Sequence, residues 1–288
     1  MRSALGLAAP PVRARRLAIG ALVAFAALVA TASAQPVLLR QDPVSVRDDA
    51  EAYVVIDITR SMLASPTREG QTRLERAVRV ARRIRAAVPD VPVGLASFTN
   101  RVVPHVFPTD DAAVFGSGLR RSIGIESPPP DRAAGAVLTA FDALAPLQTH
   151  NFFAPGARRR VAVIVTDGET SPVSPLTVAA LRRPPALELV LVRVWSPGER
   201  IFGATTATDR SYRSDPASTE TLRAFTRDTG ARLYPESDVR RASTEVARLL
   251  GRGRPVRAGS EVSAQPLAAW AFGLALLPLG YLLWRRNL

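Results

Sequence analysis

Two polar clusters in this 288-residue chain carry groups able to do chemistry. Asp57-Ile58-Thr59-Arg60-Ser61 follows the β-branched run Ala52-Tyr53-Val54-Val55-Ile56, and Thr166-Asp167-Gly168-Glu169 follows Val161 to Val165. An acid and two hydroxyls at alternate positions leaving a strand direct three oxygens the same way. A second carboxylate on a neighbouring strand end faces them. With no imidazole or thiol in either cluster, this all-oxygen set suits a hard cation: Mg²⁺, Mn²⁺ or Ca²⁺.

The rest of the composition narrows the chemistry. There is no cysteine, so disulfides, thiol nucleophiles and Cys-ligated zinc are excluded. All 38 basic residues are arginine, which removes the phosphate-gripping lysine of nucleotide loops and Schiff-base chemistry. His105 and His150 are the two histidines, each without another His or Cys nearby, and read as packing or surface residues. The net charge of +13 reflects the chain ends in part: setting aside Arg2, Arg13, Arg15, Arg16, Arg285 and Arg286 leaves 32 arginines against 25 acids. No basic stripe interleaved with aromatics remains, so nucleic acid is not an expected partner.

The clusters need a scaffold. Continuous apolar runs at Ala52–Ile56, Val91–Phe98, Val161–Val165 and Leu187–Val194 read as buried strands, with a last short strand at Arg232–Tyr234. Val102–Phe107 contains Pro104 and reads as an edge strand. Between them, Leu74, Ala77, Val78, Ala81, Ile84 and Val88 follow helical spacing, with arginines assigned to the opposite face. Further helices are expected over 112–123, 133–144, 176–181, 218–229 and 239–250, with Ser218 as the cap of the 218–229 helix. Asp110-Asp111 suits the cap of the helix after it. Buried strands alternating with amphipathic helices predict an α/β fold: a doubly wound, mostly parallel sheet with one antiparallel edge strand. Ligands of such sheets bind beyond the strands' carboxyl ends, where both polar clusters lie. Residues 196–217 read as a decorated surface loop.

Both ends are apolar. Leu17 to Ala30 follows a basic stretch and precedes Ala32-Ser33-Ala34, which predicts a signal peptide over 1–34 or, uncleaved, an anchor. Residues 35–50 form a lead-in and 251–265 a Gly-, Arg- and Ser-rich linker. Val262 to Trp284 carries no charge over 23 residues, enough for a membrane helix, here placed at 266–284. Arg285-Arg286 closes it, so 285–288 is expected in the cytoplasm and residues 51–250 outside the cell membrane, held by this single span.

In this register the chain resembles the von Willebrand factor A domain family, over about Ala50 to Leu250. Asp57-Ile58-Thr59-Arg60-Ser61 resembles the family's D-x-S-x-S metal-ion-dependent adhesion motif, with Thr in place of the first Ser. Val165-Thr166-Asp167-Gly168 resembles its T-D-G loop. Val93 to Thr99, Pro108-Thr109-Asp110 and Thr229 to Tyr234 match in order. The resemblance is nearest to membrane-attached bacterial members from aerotolerance-type operons.

The resemblance implies metal ligation by the Thr59 and Ser61 hydroxyls, with Asp57 and Asp167 binding directly or through water. Where the family supplies a Thr from the loop before the third helix, this chain has Ser127-Pro128-Pro129-Pro130-Asp131-Arg132. Asp131 or Ser127 takes that place; Asp131 makes a third carboxylate. Alternatively Arg132 or Arg60 pairs with Asp131 and the site holds no metal. The implied function is protein–protein interaction in which a partner's acidic side chain completes the ion's shell. The alternatives are a metal-free structural subunit of an envelope complex and a metal-assisted hydrolase. With no histidine base and no G-x-S-x-G, an enzyme is not expected.

Overall fold

The computed structural model describes residues 12–131, 141–203, 207–253 and 256–286. They form two compact units. The larger, Ser45–Val256, is built on a six-stranded sheet of β2 (Ala50–Asp57), β3 (Val93–Phe98), β4 (Val102–Thr109), β5 (Arg159–Thr166), β6 (Leu187–Arg193) and β7 (Arg232–Pro235). The strand order is β4-β3-β2-β5-β6-β7. All neighbours pair in parallel except the β3–β4 edge pair, which is antiparallel with a register shift near Leu95. This is the expected sheet, its proline-bearing strand on the edge, where a missing N–H costs no ladder bond.

Strand residues alternate between faces, and both faces are covered. Val54, Ile56, Val163 and Val190 pack on one side under α2 (Arg73–Ala87), α3 (Ala112–Arg121) and α8 (Val239–Leu250). Tyr53, Val55, Ile164 and Leu191 point the other way, towards Phe141, Leu147, Leu181 of α5 (Pro175–Leu181) and Phe225 of α7 (Ser218–Thr229). Leu147 belongs to α4 (Pro146–Thr149). Each fully buried aliphatic side chain here is worth about 1.5–3 kcal/mol.

Local chemistry sets the helix starts. Thr72 and Glu75 exchange side-chain and backbone bonds in a capping box at the head of α2. Asp111 caps α3, accepting from the N–H groups of Ala113 and Val114, as expected. Ser218 is not the cap of α7: Ala217 takes that position, and Ser218 donates to the Asp215 carbonyl. The expected helix over 133–144 falls mostly on 132–140, outside the described residues; Phe141–Leu144 is a 3-10 turn. Arg47 is buried and ties β2's lead-in to the end of α8, bonding Asp49 and the carbonyls of Leu250 and Gly251.

The smaller unit comprises residues up to Val44 and from Arg257. α1 (Val12–Ser33) packs alongside α9 (Ala268–Arg286), and β1 (Val37–Val46) pairs with β8 (Val256–Pro266) in a two-stranded sheet. These two strands run through most of the segments read as lead-in and linker, a pairing that Gly, Arg and Ser content cannot announce because the partner lies 200 residues away. α1 and α9 are each long and apolar enough to cross a membrane.

Candidate metal centre at the carboxyl ends of β2 and β5

β2 and β5 are adjacent, and both polar clusters emerge at the same end of the sheet. Asp57, the last residue of β2, is fully buried. Its Oδ1 accepts from the Thr59 N–H at 3.0 Å and the Thr59 hydroxyl at 2.7 Å; its Oδ2 accepts from the Thr166 hydroxyl at 2.7 Å. The Thr59 and Ser61 hydroxyl oxygens lie 3.1 Å apart. Asp57, Thr59 and Ser61 are thus brought together as their spacing implied, along the turn that leads into the 3-10 segment Arg60–Leu63.

Asp57 takes its hydrogen bonds from neutral groups only, and among the described residues no ion pair involves it. Burial raises its pKa, and the nearby Asp167 charge raises it further, to about 7, against the lowering effect of its hydroxyl and N–H donors. A buried carboxylate without a counter-charge calls for a proton or a cation.

Asp167 is also fully buried but is already matched. Its Oδ2 accepts from Arg73 Nη1 at 2.7 Å and its Oδ1 from the Glu169 N–H at 2.9 Å. Arg73 is fully buried; it also reaches Glu169 at 3.0 Å, the Tyr212 hydroxyl at 2.7 Å and, through Nε, Glu199 at 2.6 Å. Arg76, one turn along α2, bonds Glu199 and Glu236. The expectation that the arginines of this helix all face water therefore fails. Arg73 and Arg76 lie on the same stripe as Ala77, Val80 and Ile84, and buried carboxylates hold them there. Glu169, held by Arg73, Tyr212, the Trp195 indole N–H and the Asp215 N–H, is nonetheless shifted upward, first by burial and then by Asp167. Gly168 takes φ 82° and packs against Leu222 so closely that a Cβ would stand 2.5 Å from it, so this turn requires glycine.

Asp131 is not gathered with the others. It is exposed, and its backbone is held by Asn100, whose Oδ1 accepts from the Asp131 N–H at 2.9 Å and whose Nδ2 donates to the Asp131 carbonyl at 2.7 Å. Among the described residues no three carboxylate or imidazole groups converge tightly enough to hold an ion, so the three-carboxylate arrangement does not form. Ser127 is exposed as well, its N–H bonded to the Gly124 carbonyl. Arg60 does not pair with Asp131 but with Asp209, Nε to Oδ1 at 2.9 Å, and with Glu126 at 3.7 Å. Arg132 lies outside the described residues. His105, on the edge strand β4, bonds the hydroxyl of Ser97 on β3, and burial lowers the His105 pKa.

The donors nevertheless fit a hard cation. Adjacent oxygens in an octahedral shell with bonds of 2.0–2.1 Å lie about 3 Å apart. The Asp57–Thr59 and Thr59–Ser61 separations of 2.7 and 3.1 Å bracket that value. Sequence reasoning missed Arg73, Glu199, Tyr212 and Asp209. Arg73 left one signal, its place on the apolar stripe of α2; the others come from residues 196–217, where no local pattern marks them.

The sequence matches no protein-family model and no curated protein. Solved structures are similar in fold. BatB, a conserved hypothetical protein from Bacteroides thetaiotaomicron, superposes with a TM-score of 0.55 at 21% identity, over 70% of this chain and 100% of that one. An aerotolerance-related membrane protein from Bacteroides fragilis does so with a TM-score of 0.52 at 20% identity, over 70% and 98%. A von Willebrand factor type A structure from Catenulispora acidiphila overlaps more loosely, with a TM-score of 0.44 at 12% identity over 76% and 51%. With its mostly parallel sheet and antiparallel edge strand, the Ser45–Val256 unit has the expected von Willebrand factor A-like fold, which it shares with the two Bacteroides structures.

Proposed function

We propose that this domain mediates protein–protein interaction through a divalent ion, Mg²⁺, Mn²⁺ or Ca²⁺, held by Asp57, Thr59 and Ser61, with Asp167 behind them. The observation that carries this reading is the buried Asp57 carboxylate with no cationic partner among the described residues, flanked by two hydroxyls at ligand spacing. A bound ion supplies an electrophilic centre for an acidic side chain of the partner. Thr59 and Ser61, being neutral, leave that positive charge largely unspent. Arg73 neutralises Asp167 and lowers the site's negative charge further. The role assigned is binding, not hydrolysis.

Asp131 has no part in holding the ion in this reading. Asp131→Thr is therefore expected to leave the Mg²⁺ affinity of the full chain within about twofold of wild type. Mg²⁺ titration followed by calorimetry in detergent checks this, and a tenfold loss would restore Asp131 as a ligand. The metal-free scaffold is the second reading, and the Arg73–Asp167 ion pair is the observation in its favour.

We also propose that α1 is retained and that both terminal helices cross the cell membrane with the A-like domain outside. Their mutual packing supports retention, and Arg13, Arg15, Arg16, Arg285 and Arg286 place basic residues at the outer ends of both helices, as cytoplasmic flanks require. Protease added to intact spheroplasts should remove the domain. Epitope tags on either terminus should survive, and mass spectrometry of the untreated protein should find residues 12–34 still attached. A mature chain beginning at Gln35 would establish cleavage instead.

A further inference from the structure

A cavity of about 390 Å³ opens between the loop after the Arg60–Leu63 turn and the segment after β6, and its lining carries four arginines and no acid. Arg68 comes from the loop after the Arg60–Leu63 turn; Arg200 and Arg213 come from the segment between β6 and α7, and Arg210 from the short helix Ala207–Ser211 within it. The two loops are stitched by a short antiparallel bridge, Ser65 N–H to the Arg200 carbonyl at 3.0 Å and Arg200 N–H to the Ser65 carbonyl at 3.1 Å. Buried Ile201 and the ring of Phe202 supply apolar wall, and the Arg68 guanidinium lies 5.8 Å from the centre of the Phe202 ring.

The charge balance of this pocket is lopsided. Glu199 and Asp209 sit on the same loop but turn inward, Glu199 to Arg73 and Arg76, Asp209 to Arg60. Arg68, Arg200, Arg210 and Arg213 form no ion pair with any carboxylate among the described residues. Arginine does not deprotonate, so four like charges lining one concavity repel one another until an anion enters. Guanidinium forks match carboxylates in pairs of parallel hydrogen bonds.

We infer that this pocket docks an acidic segment of a partner protein, with carboxylate side chains on the arginines and apolar atoms on Ile201 and Phe202. Its volume lies in the range that holds a drug-sized ligand, more than a single oxyanion fills. Its loop also carries Asp209, which grips Arg60 inside the Asp57–Ser61 turn, so one acidic segment can engage pocket and ion together. That joint engagement rests on the ion-bridged reading; the arginine pocket does not.

The test uses the full chain in phosphatidylcholine nanodiscs and a fluorescent hexa-aspartate peptide, read by anisotropy with Mg²⁺ and with EDTA. The expected result is salt-sensitive binding that weakens at least tenfold in the Arg200→Gln, Arg213→Gln double variant under both conditions. Both positions are exposed, and an unchanged melting temperature confirms that the fold holds. Binding equal to wild type in the double variant overturns the inference. So does displacement of the peptide by inorganic phosphate at lower concentration than the peptide itself, which makes this a small-oxyanion site. Preferential binding to phosphatidylglycerol vesicles, lost in the same variant, overturns it in favour of a membrane. Loss of the Mg²⁺ increment alone, with the arginine dependence intact, supports the pocket and refutes the ion-bridged reading.

Discussion

Arg73→Met is expected to lower the melting temperature of the domain by on the order of 10 °C. The side chain is fully buried and serves Asp167, Glu169 and Glu199 together, so its loss strands three carboxylates beneath the loop that follows β6. Breaking a buried ion pair by removing one partner costs about 3–5 kcal/mol, and a domain of this size loses about 2–4 °C per kcal/mol. The deficit relative to wild type should be smaller at pH 5 than at pH 8. Carboxylates left without a counter-charge in a buried site have raised pKa values, so their destabilisation is absent below the unfolded pKa and grows as pH rises. Glu169 is already shifted upward by burial. Arg73→Lys should recover only part of the loss, since one ammonium cannot span Nε and Nη1 partners as the planar guanidinium does. Thermal melts at the two pH values decide the matter; a deficit that is equal at both would show that packing rather than charge holds Arg73 in place.

Asp57 gives the second large effect. Its pKa in the folded, ion-free protein is raised from the ordinary carboxylate range to about 7. The folded state then binds a proton more tightly than the unfolded chain, so this group's contribution to stability is greatest below pH 4 and is lost as pH rises through 7. In EDTA, Asp57→Asn should remove that slope, leaving the variant at least as stable as wild type at pH 7.5. With Mg²⁺ at a hundred times its Kd, wild type gains about 2.7 kcal/mol, or about 5–10 °C. Asp57→Asn should show almost none of that gain. An equal Mg²⁺ shift in both proteins would sink the metal centre and leave the scaffold reading, in which Arg73 supplies the only cation the site needs.

Much of this was legible in the residues. The runs Ala52–Ile56 and Val161–Val165 are continuously apolar because a parallel strand is buried on both faces, and so they announce central strands. Pro104 marked the edge. The D-x-T-x-S spacing announced that Asp57, Thr59 and Ser61 would share one turn, because a strand end imposes that geometry locally. The same locality limited the reading elsewhere. Asp131 and Ser127, the two candidates in the loop before the third helix, both lie exposed, Asp131 beside Asn100.

Composition and period by themselves determined the sheet, its order of elements, the apolar ends and the three oxygens of the β2 turn, since each depends on neighbours within a few positions. Only the tertiary structure decided how the charges are matched. Arg73 meets Asp167, Glu169 and Glu199 across 94, 96 and 126 positions, and Arg60 meets Asp209 across 149. No local pattern encodes such pairs, because a guanidinium is as soluble on an outward helix face as it is stable inward beside a carboxylate. The choice falls to whichever buried anions the completed fold brings within reach, and here they turned Arg73 inward, spared Asp57 and left four arginines facing an open pocket.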